Sequence, residues 1–548
     1  MRSIGKKRKF KKFKTIVLET RKLEIPKNTN LTVNMRTNLK KLSVAAFMLT
    51  SSLAVSAQDA TATLNTAEAN TVIPKEIYGH FAEHLGACIY QGLWVGKDSD
   101  IPNIDGYRKD VFEALKELQI PVMRWPGGCF ADEYHWMDGV GPQEKRPRLV
   151  NNNWGGTVED NSFGTHEFLN LCEMLGCEPY VSTNVGGGTV EEMAKWVEYM
   201  TSNSNSTMAE MRRKNGRDKA WKVKYLGIGN ESWGCGGQML PEYYADLYRR
   251  YSIYARNYDD NKLYKVASGA NGDDTNWTEV CMKKIGNLMP GISVHYYAVR
   301  DWDNHGSATQ FDSKTYYADI AKALYMDELI AGHEAVMDKY DPKKKVELLV
   351  DEWGTWWDVE PGTNPGHLFQ QQTMRDALVA STTFDIFHKH TARVKMANIA
   401  QVVNVLQAMI LTKGKEMVLT PTYYVFQMYK PHMDATFIPA TLTCSDIQVD
   451  EKQKIPSVSI TASKKDGNVT VCLSNISLDK AQTVEVDLSK AASKVVSGTL
   501  LNAKNINDYN DFGKETLVKP VAFKDAKIKN GKLTVKLPAH SIVAITLN

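Results

Sequence analysis

The chain of 548 residues has no apolar run that reaches the ~18–20 residues a bilayer span needs; its most hydrophobic stretch is interrupted by Thr50, Ser51 and Ser52. Its eight cysteines are scattered, without a CxxC pair, which excludes a dense disulfide framework and leaves most of them expected as buried free thiols. No Gly-Lys-Ser/Thr sequence closes the glycine run at Gly186, Gly187 and Gly188, so that run is read as a loop after a strand and not as a phosphate cradle. Internal repeats and long linkers are also missing, and 37 Gly with 19 Pro is too little for a fibrous chain. Neither charge sign dominates. The net charge of +4 comes from residues 1–57, which hold 14 Lys and Arg against 2 acidic residues. The rest carries 53 basic and 61 acidic residues, a net −8, which argues against a nucleic-acid partner.

What is present begins with a leader. Arg36, Lys40 and Lys41 precede an apolar run that ends in Val55, Ser56 and Ala57, the three-part layout of a secretory signal peptide. Residues 1–57 are therefore expected to be a leader, with the signal peptide at 35–57, Met35 as the start and export to a periplasm or the exterior. No cysteine follows the run, so no lipid anchor is indicated there.

From residue 75, short apolar runs alternate with amphipathic helical patterns. Strand candidates lie at 77–81, 122–125, 180–184, 225–229, 265–269, 292–296, 348–352 and 394–398. Helical periods fall at 107–118, 165–175, 190–201, 243–257, 316–340 and 370–388. Eight strands alternating with helices predict a (β/α)8 barrel over residues 75–412, with a doubly wound sheet as the alternative. After residue 413 two-residue alternation takes over, as in Thr483-Val484-Glu485-Val486-Asp487 and Lys532-Leu533-Thr534-Val535, and predicts an antiparallel β-sandwich over 413–548. Residues 58–74 alternate too and are expected to add a strand to it.

In such a barrel the chemistry sits where strands end. Those ends carry Glu83, Arg124, Asn230 with Glu231, His295 with Tyr296 and Tyr297, Asp351 with Glu352, and Gln401. Carboxylates, amides and an Arg beside Trp233, Trp353 and Trp356 suit a sugar, whose hydroxyls need polar partners and whose ring face needs an aromatic. Acetal hydrolysis needs one carboxylic acid to protonate the leaving oxygen and one carboxylate to attack or to activate water. Glu231 and Glu352, at the fourth and seventh strands, face each other across a barrel mouth. The acid needs a raised pKa, for which Trp233 and Trp353 would provide a less polar surround.

Gly229-Asn230-Glu231 and Asp351-Glu352-Trp353 resemble the acid/base and nucleophile signatures of the clan A glycoside hydrolases. With Tyr78-Gly79-His80-Phe81-Ala82-Glu83-His84, Met123-Arg124-Trp125-Pro126-Gly127-Gly128 and Asn398-Ile399-Ala400-Gln401, the chain from about residue 75 onward resembles the family 51 α-L-arabinofuranosidases. The resemblance implies a retaining exo-hydrolase acting on arabinose-containing oligo- or polysaccharides, with no cofactor, no metal and a homo-oligomeric assembly. It implies Glu231 as general acid/base, Glu352 as nucleophile, Asn230 on the sugar 2-hydroxyl and Tyr297, with Tyr296 as the second choice, holding the nucleophile. Glu83, Arg124, His295 and Gln401 would line the remaining contacts, with Trp356 as an aromatic wall. Cys129 departs from the family pattern, where an Asn often follows the two glycines, and a thiol is only a weak donor.

Other readings carry less. His80-Phe81-Ala82-Glu83-His84 fits H-x-x-E-H, but that zinc motif needs a helix and here a strand-like run and Gly79 precede it. An endo-β-glycanase or β-xylosidase on the same barrel, or a glycan-binding protein without catalysis, are the alternatives in function.

Overall fold

The computed structural model describes residues 59–548; the leader assigned to residues 1–57 lies outside them. Eight parallel strands close into a barrel: Gly79–Phe81, Val122–Trp125, Glu178–Thr183, Tyr225–Ile228, Tyr264–Asn271, Gly291–Ala298, Glu347–Thr355 and Val394–Ala400. The eighth strand pairs with the first, Asn398 opposite Gly79, which removes the open doubly wound sheet.

Helices ring the barrel because their apolar residues recur every three to four positions. Lys109–Leu118 buries Val111, Ala114, Leu115 and Leu118 and stops where Gln119 turns left-handed. The single helical period at 316–340 is two helices, Ser313–Leu324 and Met326–Tyr340, which meet at Tyr325. Asp312 caps the first by accepting from the Thr315 amide. Three helices fall outside the expected periods: Thr207–Lys214, Thr275–Ile285 and Pro421–Tyr429. Pro421–Tyr429 packs against Met374–Lys389, and Tyr423 Oη and Gln427 Nε2 donate to Ala114 O and Glu117 Oε1 of the first helix. It completes the helical ring beyond residue 412, so the expected 412/413 boundary cuts through the barrel domain.

The C-terminal region is a sandwich of a five-stranded and a six-stranded sheet. Ala60–Leu64 lies inside the first, parallel to Gln482–Asp487 and antiparallel to Ala440–Cys444. Alternate residues such as Ala62, Leu64, Val484, Val486, Val471 and Val543 form its core. No helix among the described residues is long and apolar enough to cross a membrane.

Inside the barrel, Val122, Tyr180, Tyr225, Val266, Leu349 and Met396 form an apolar plug near the strand starts. Above it strands two and seven present Arg124, Asp351 and Glu352, and strand six presents His295. This second layer is the floor of the candidate site.

Candidate active site

The second layer depends on a bulge. Strand seven pairs Leu349 with Ser293 but Glu352 with His295, one residue out of step. On its other side Val350 faces Ala397 and Trp353 faces Ile399, so Asp351 and Glu352 together oppose one residue. A regular strand sends neighbours to opposite faces; here both carboxylates meet interior partners. Asp351 accepts from Tyr180 Oη at 2.7 Å and lies 2.9 Å from His295 Nε2. Glu352 accepts from Arg124 Nη1 at 2.6 Å and from Tyr297 Oη at 2.8 Å. Trp353 points the other way, against Phe384, Phe387 and Phe426, and so does not surround the acid as expected.

Glu231 sits on a loop of unusual backbone, with φ +37° for a non-glycine residue. The loop wraps back on itself: Gly234 and Gly236 amides donate to Glu231 O. A side chain at position 236 would place its Cβ 1.9 Å from Asn230 O, so only glycine allows this wrap. A disulfide between Cys129 and Cys235, 106 residues apart, ties the loop to the turn after strand two. Most cysteines were expected as free thiols; six are, and this pair is the exception. Cys129 therefore offers the site a disulfide sulfur and not a thiol donor.

His295 Nδ1 lies 2.8 Å from Glu231 Oε1. A carboxylate oxygen of Glu231 and one of Glu352 approach within 4.8 Å, with His295 between them. Burial pulls the His295 pKa down, but Glu352, Asp351 and the hydrogen bonds to Asp351 and Glu231 outweigh it and raise it to about 10. The imidazole is thus held as a cation that donates to Glu231 and to Asp351.

Glu83 occupies the opposite wall. Its Oε1 accepts from the Gly128 and Phe130 amides and from Trp154 Nε1, and its Oε2 accepts from Gln401 Nε2 at 3.0 Å. Burial and then the neighbouring Glu352 push its pKa up to about 7 against the hydrogen bonds that lower it. Trp154 rides on a hairpin of Leu149–Asn151 and Thr157–Glu159 that the sequence reading did not single out.

These groups line two joined spaces. A pocket of about 50 Å³ is walled by Glu83, Glu231, Tyr297, Glu352, Trp356 and Gln401 and closed by Leu85, Leu368 and Leu406. It shares Cys129, Trp154, Glu231, Tyr297 and Trp356 with a wider chamber of about 680 Å³ that adds Trp233, His295, Tyr296, Tyr325 and Trp302. Three expected lining residues, Arg124, Asn230 and His295, do not wall the smaller pocket, although His295 lines the wider chamber. Arg124 is buried with its guanidinium on Glu352 and on Asn230 Oδ1, so it holds these groups and does not line the wall. His295 likewise directs both ring nitrogens to carboxylates. Asn230 is buried too; its amide nitrogen has only Cys235 Sγ, at 3.9 Å.

The H-x-x-E-H motif holds no metal arrangement. His80 is buried against Phe426 without a hydrogen-bond partner, and burial lowers its pKa to about 3, while His84 faces Glu159 and Trp125. In the glycine run, Val185 and Gly186 amides donate to Asp132 and those of Gly187 and Gly188 to Asn184. A phosphate would find these donors already used.

Comparison with known proteins places this geometry in a family. Residues 114–316 match the α-L-arabinofuranosidase 1 domain and residues 351–541 the α-L-arabinofuranosidase C-terminal domain. A protein of Bacteroides ovatus named an intracellular exo-α-L-arabinofuranosidase is 63% identical over 92% of this chain and 99% of its own length. The chain belongs to the α-L-arabinofuranosidase family. Among solved structures, the GH51 arabinofuranosidase of Xanthomonas axonopodis pv. citri is 49% identical, with a TM-score of 0.88 over 90% of this chain and all of that one. An α-L-arabinofuranosidase of Thermotoga maritima, solved as an arabinose complex, is 27% identical, with a TM-score of 0.78 over 89% and 99%. The arabinofuranosidase family thus accounts for the barrel, the sandwich and their order. Export is corrected by the same comparison: the Bacteroides ovatus relative is named for an intracellular enzyme. A basic flank followed by a short apolar run is a compositional signal, and it does not by itself establish secretion.

Proposed function

We propose that the protein is a retaining, exo-acting α-L-arabinofuranosidase that removes terminal non-reducing arabinofuranosyl groups from arabinose-containing glycans. The observation that carries this reading is the approach of Glu231 and Glu352 to within 4.8 Å at a small pocket closed on its far side. Retaining enzymes bring their carboxyl groups to about 5–5.5 Å, whereas an inverting enzyme needs about 6.5–9.5 Å for a water molecule. The closed pocket holds a chain end, and the wider chamber receives the leaving group.

Glu352 is the nucleophile. Arg124 and Tyr297 donate to its two oxygens, which fixes the carboxylate for attack on the anomeric carbon. Glu231 is the acid/base. His295 donates to its Oε1, leaving Oε2 to carry the proton that passes to the leaving oxygen. After departure Glu231 takes a proton from water, which attacks the glycosyl ester on Glu352 and returns the sugar with its configuration kept. Glu83 and Gln401 accept and donate at the ring hydroxyls, Asn230 offers its amide nitrogen to the 2-hydroxyl, and Trp356 covers one face.

The test is release of 4-nitrophenol from its α-L-arabinofuranoside beside the β-D-xylopyranoside and β-D-glucopyranoside, with the anomer of the first product followed by NMR. Turnover of the arabinofuranoside with retention is expected. Turnover of a β-pyranoside alone, or inversion, would overturn the reading.

A further inference from the structure

The disulfide sits where a metal could bind if the bond were open. Cys129 lines both the closed pocket and the outer chamber, Cys235 is exposed, and Cys235 Sγ lies 3.6 Å from Glu231 Oε2. One ligand atom from each of Cys129, Glu231 and Cys235 falls within a 4.8 Å span. A tetrahedral zinc ion with bonds of about 2.3 Å to sulfur and about 2.0–2.2 Å to oxygen sets its ligand atoms roughly 3.5–3.8 Å apart, which this cluster can adopt by small side-chain rotations. Two thiolates and a carboxylate would leave a fourth position open to the chamber. While the sulfurs are bonded to each other, neither is a thiolate and the site is closed.

We propose that Cys129 and Cys235, once reduced, form with Glu231 a site for a thiophilic divalent cation such as zinc, and that the disulfide keeps this site shut in the working enzyme. Opening it takes two electrons and two protons from a dithiol, which is oxidised to its own disulfide and leaves two thiols on the protein. Zinc then displaces both thiol protons to solvent and takes a carboxylate oxygen of Glu231. The site stands on geometry alone; its inhibitory effect rests on Glu231 being the acid/base. The other cysteines do not compete at the mouth, since Cys88, Cys172, Cys177, Cys281 and Cys472 are buried and Cys444 belongs to the sandwich.

The experiment compares the full-length protein as isolated with protein reduced by dithiothreitol and desalted without oxygen. Each is dialysed against zinc chloride, its bound metal measured, and its rate on the aryl arabinofuranoside read before and after a chelator. The reduced form should gain about one zinc per chain over the oxidised form, lose rate by about 10²-fold or more and recover it with the chelator. Reduced C235S should gain no such zinc and keep its own zinc-free rate, and C129S provides the same test should C235S fail to fold. Equal uptake by the oxidised and reduced forms, or by reduced C235S, would overturn the site. Extra zinc without loss of rate would overturn the inhibition and, separately, the acid/base role of Glu231.

Discussion

The two ends of the barrel interior are built largely from the same strands, and they depend on opposite physics. At the lower end Val122, Leu349 and Met396 fill space. Two positions further along, Arg124, Asp351 and Asn398 are polar and buried, and with Glu352 and His295 they form a layer in which each charge has an opposite partner. Below, an absent group leaves a cavity, and the penalty scales with volume. Above, an absent group leaves an uncompensated charge, and the penalty is electrostatic. The closed sheet below lets the layer above hold two acids and two cations close together without relaxing.

The sharpest way to separate the ends is to remove chemistry and keep shape. Glu352→Gln should lower turnover of the aryl arabinofuranoside by about 10⁴-fold or more while leaving the melting temperature within a few degrees. A comparable loss of stability would mean that the upper layer also holds the fold. Arg124→Met goes further, because it leaves Glu352 and Asp351 without their guanidinium. It should cost about 3–5 kcal/mol in urea unfolding and abolish measurable turnover. Leu349→Ala belongs to the lower end and should cost about 2–5 kcal/mol, with kcat and KM of the folded fraction changed less than about twofold. A large change in kcat would show that the plug transmits strain to the carboxylates.

How much of this contrast was legible depends on whether a feature is periodic. Eight strands and most helices were readable because their apolar residues recur at fixed spacing, as in Lys109–Leu118. Pro421–Tyr429 was not, because seven of its nine residues are buried and a helix covered on all sides has no polar face to mark a period. Glu231 and Glu352 stood out by lying at strand ends beside Asn and Trp. The part of Asp351 did not, since its place depends on a bulge that leaves no mark on a run of Leu, Val, Asp and Glu. Trp154 and the Cys129–Cys235 bond were also hidden: each joins segments far apart in sequence, and spacing says nothing about closure in space.

The charge layer should also answer to pH. His295 has its pKa raised from 6.5 to about 10 in the folded protein, so protons are held more tightly folded than unfolded. Its contribution to stability is therefore fully present below pH 6.5 and is lost as pH rises through about 10. Groups outside the layer titrate alike in wild type and in H295Q, so the difference between the two isolates this ring. The stability gap, measured by urea unfolding from pH 6 to 10, should be widest at the acid end and close towards the alkaline end. A gap that stays flat would mean a neutral imidazole and would remove the cation from between the carboxylates.

Tyr180 lies on the boundary itself, and its variant is the finest division of the two layers. The ring packs in the lower plug while its hydroxyl donates to Asp351 Oδ2 at 2.7 Å. Tyr180→Phe keeps the ring and deletes one hydrogen bond to a buried carboxylate that still has Arg124 and His295 beside it. The expected loss is about 1.5–3 kcal/mol, the range for a bond to a charged group, with kcat/KM falling only a few-fold because Glu352 keeps both its donors. If turnover instead fell as far as in Arg124→Met, Asp351 would be setting the nucleophile through Arg124, and the boundary between packing and chemistry would lie one layer lower, inside the plug.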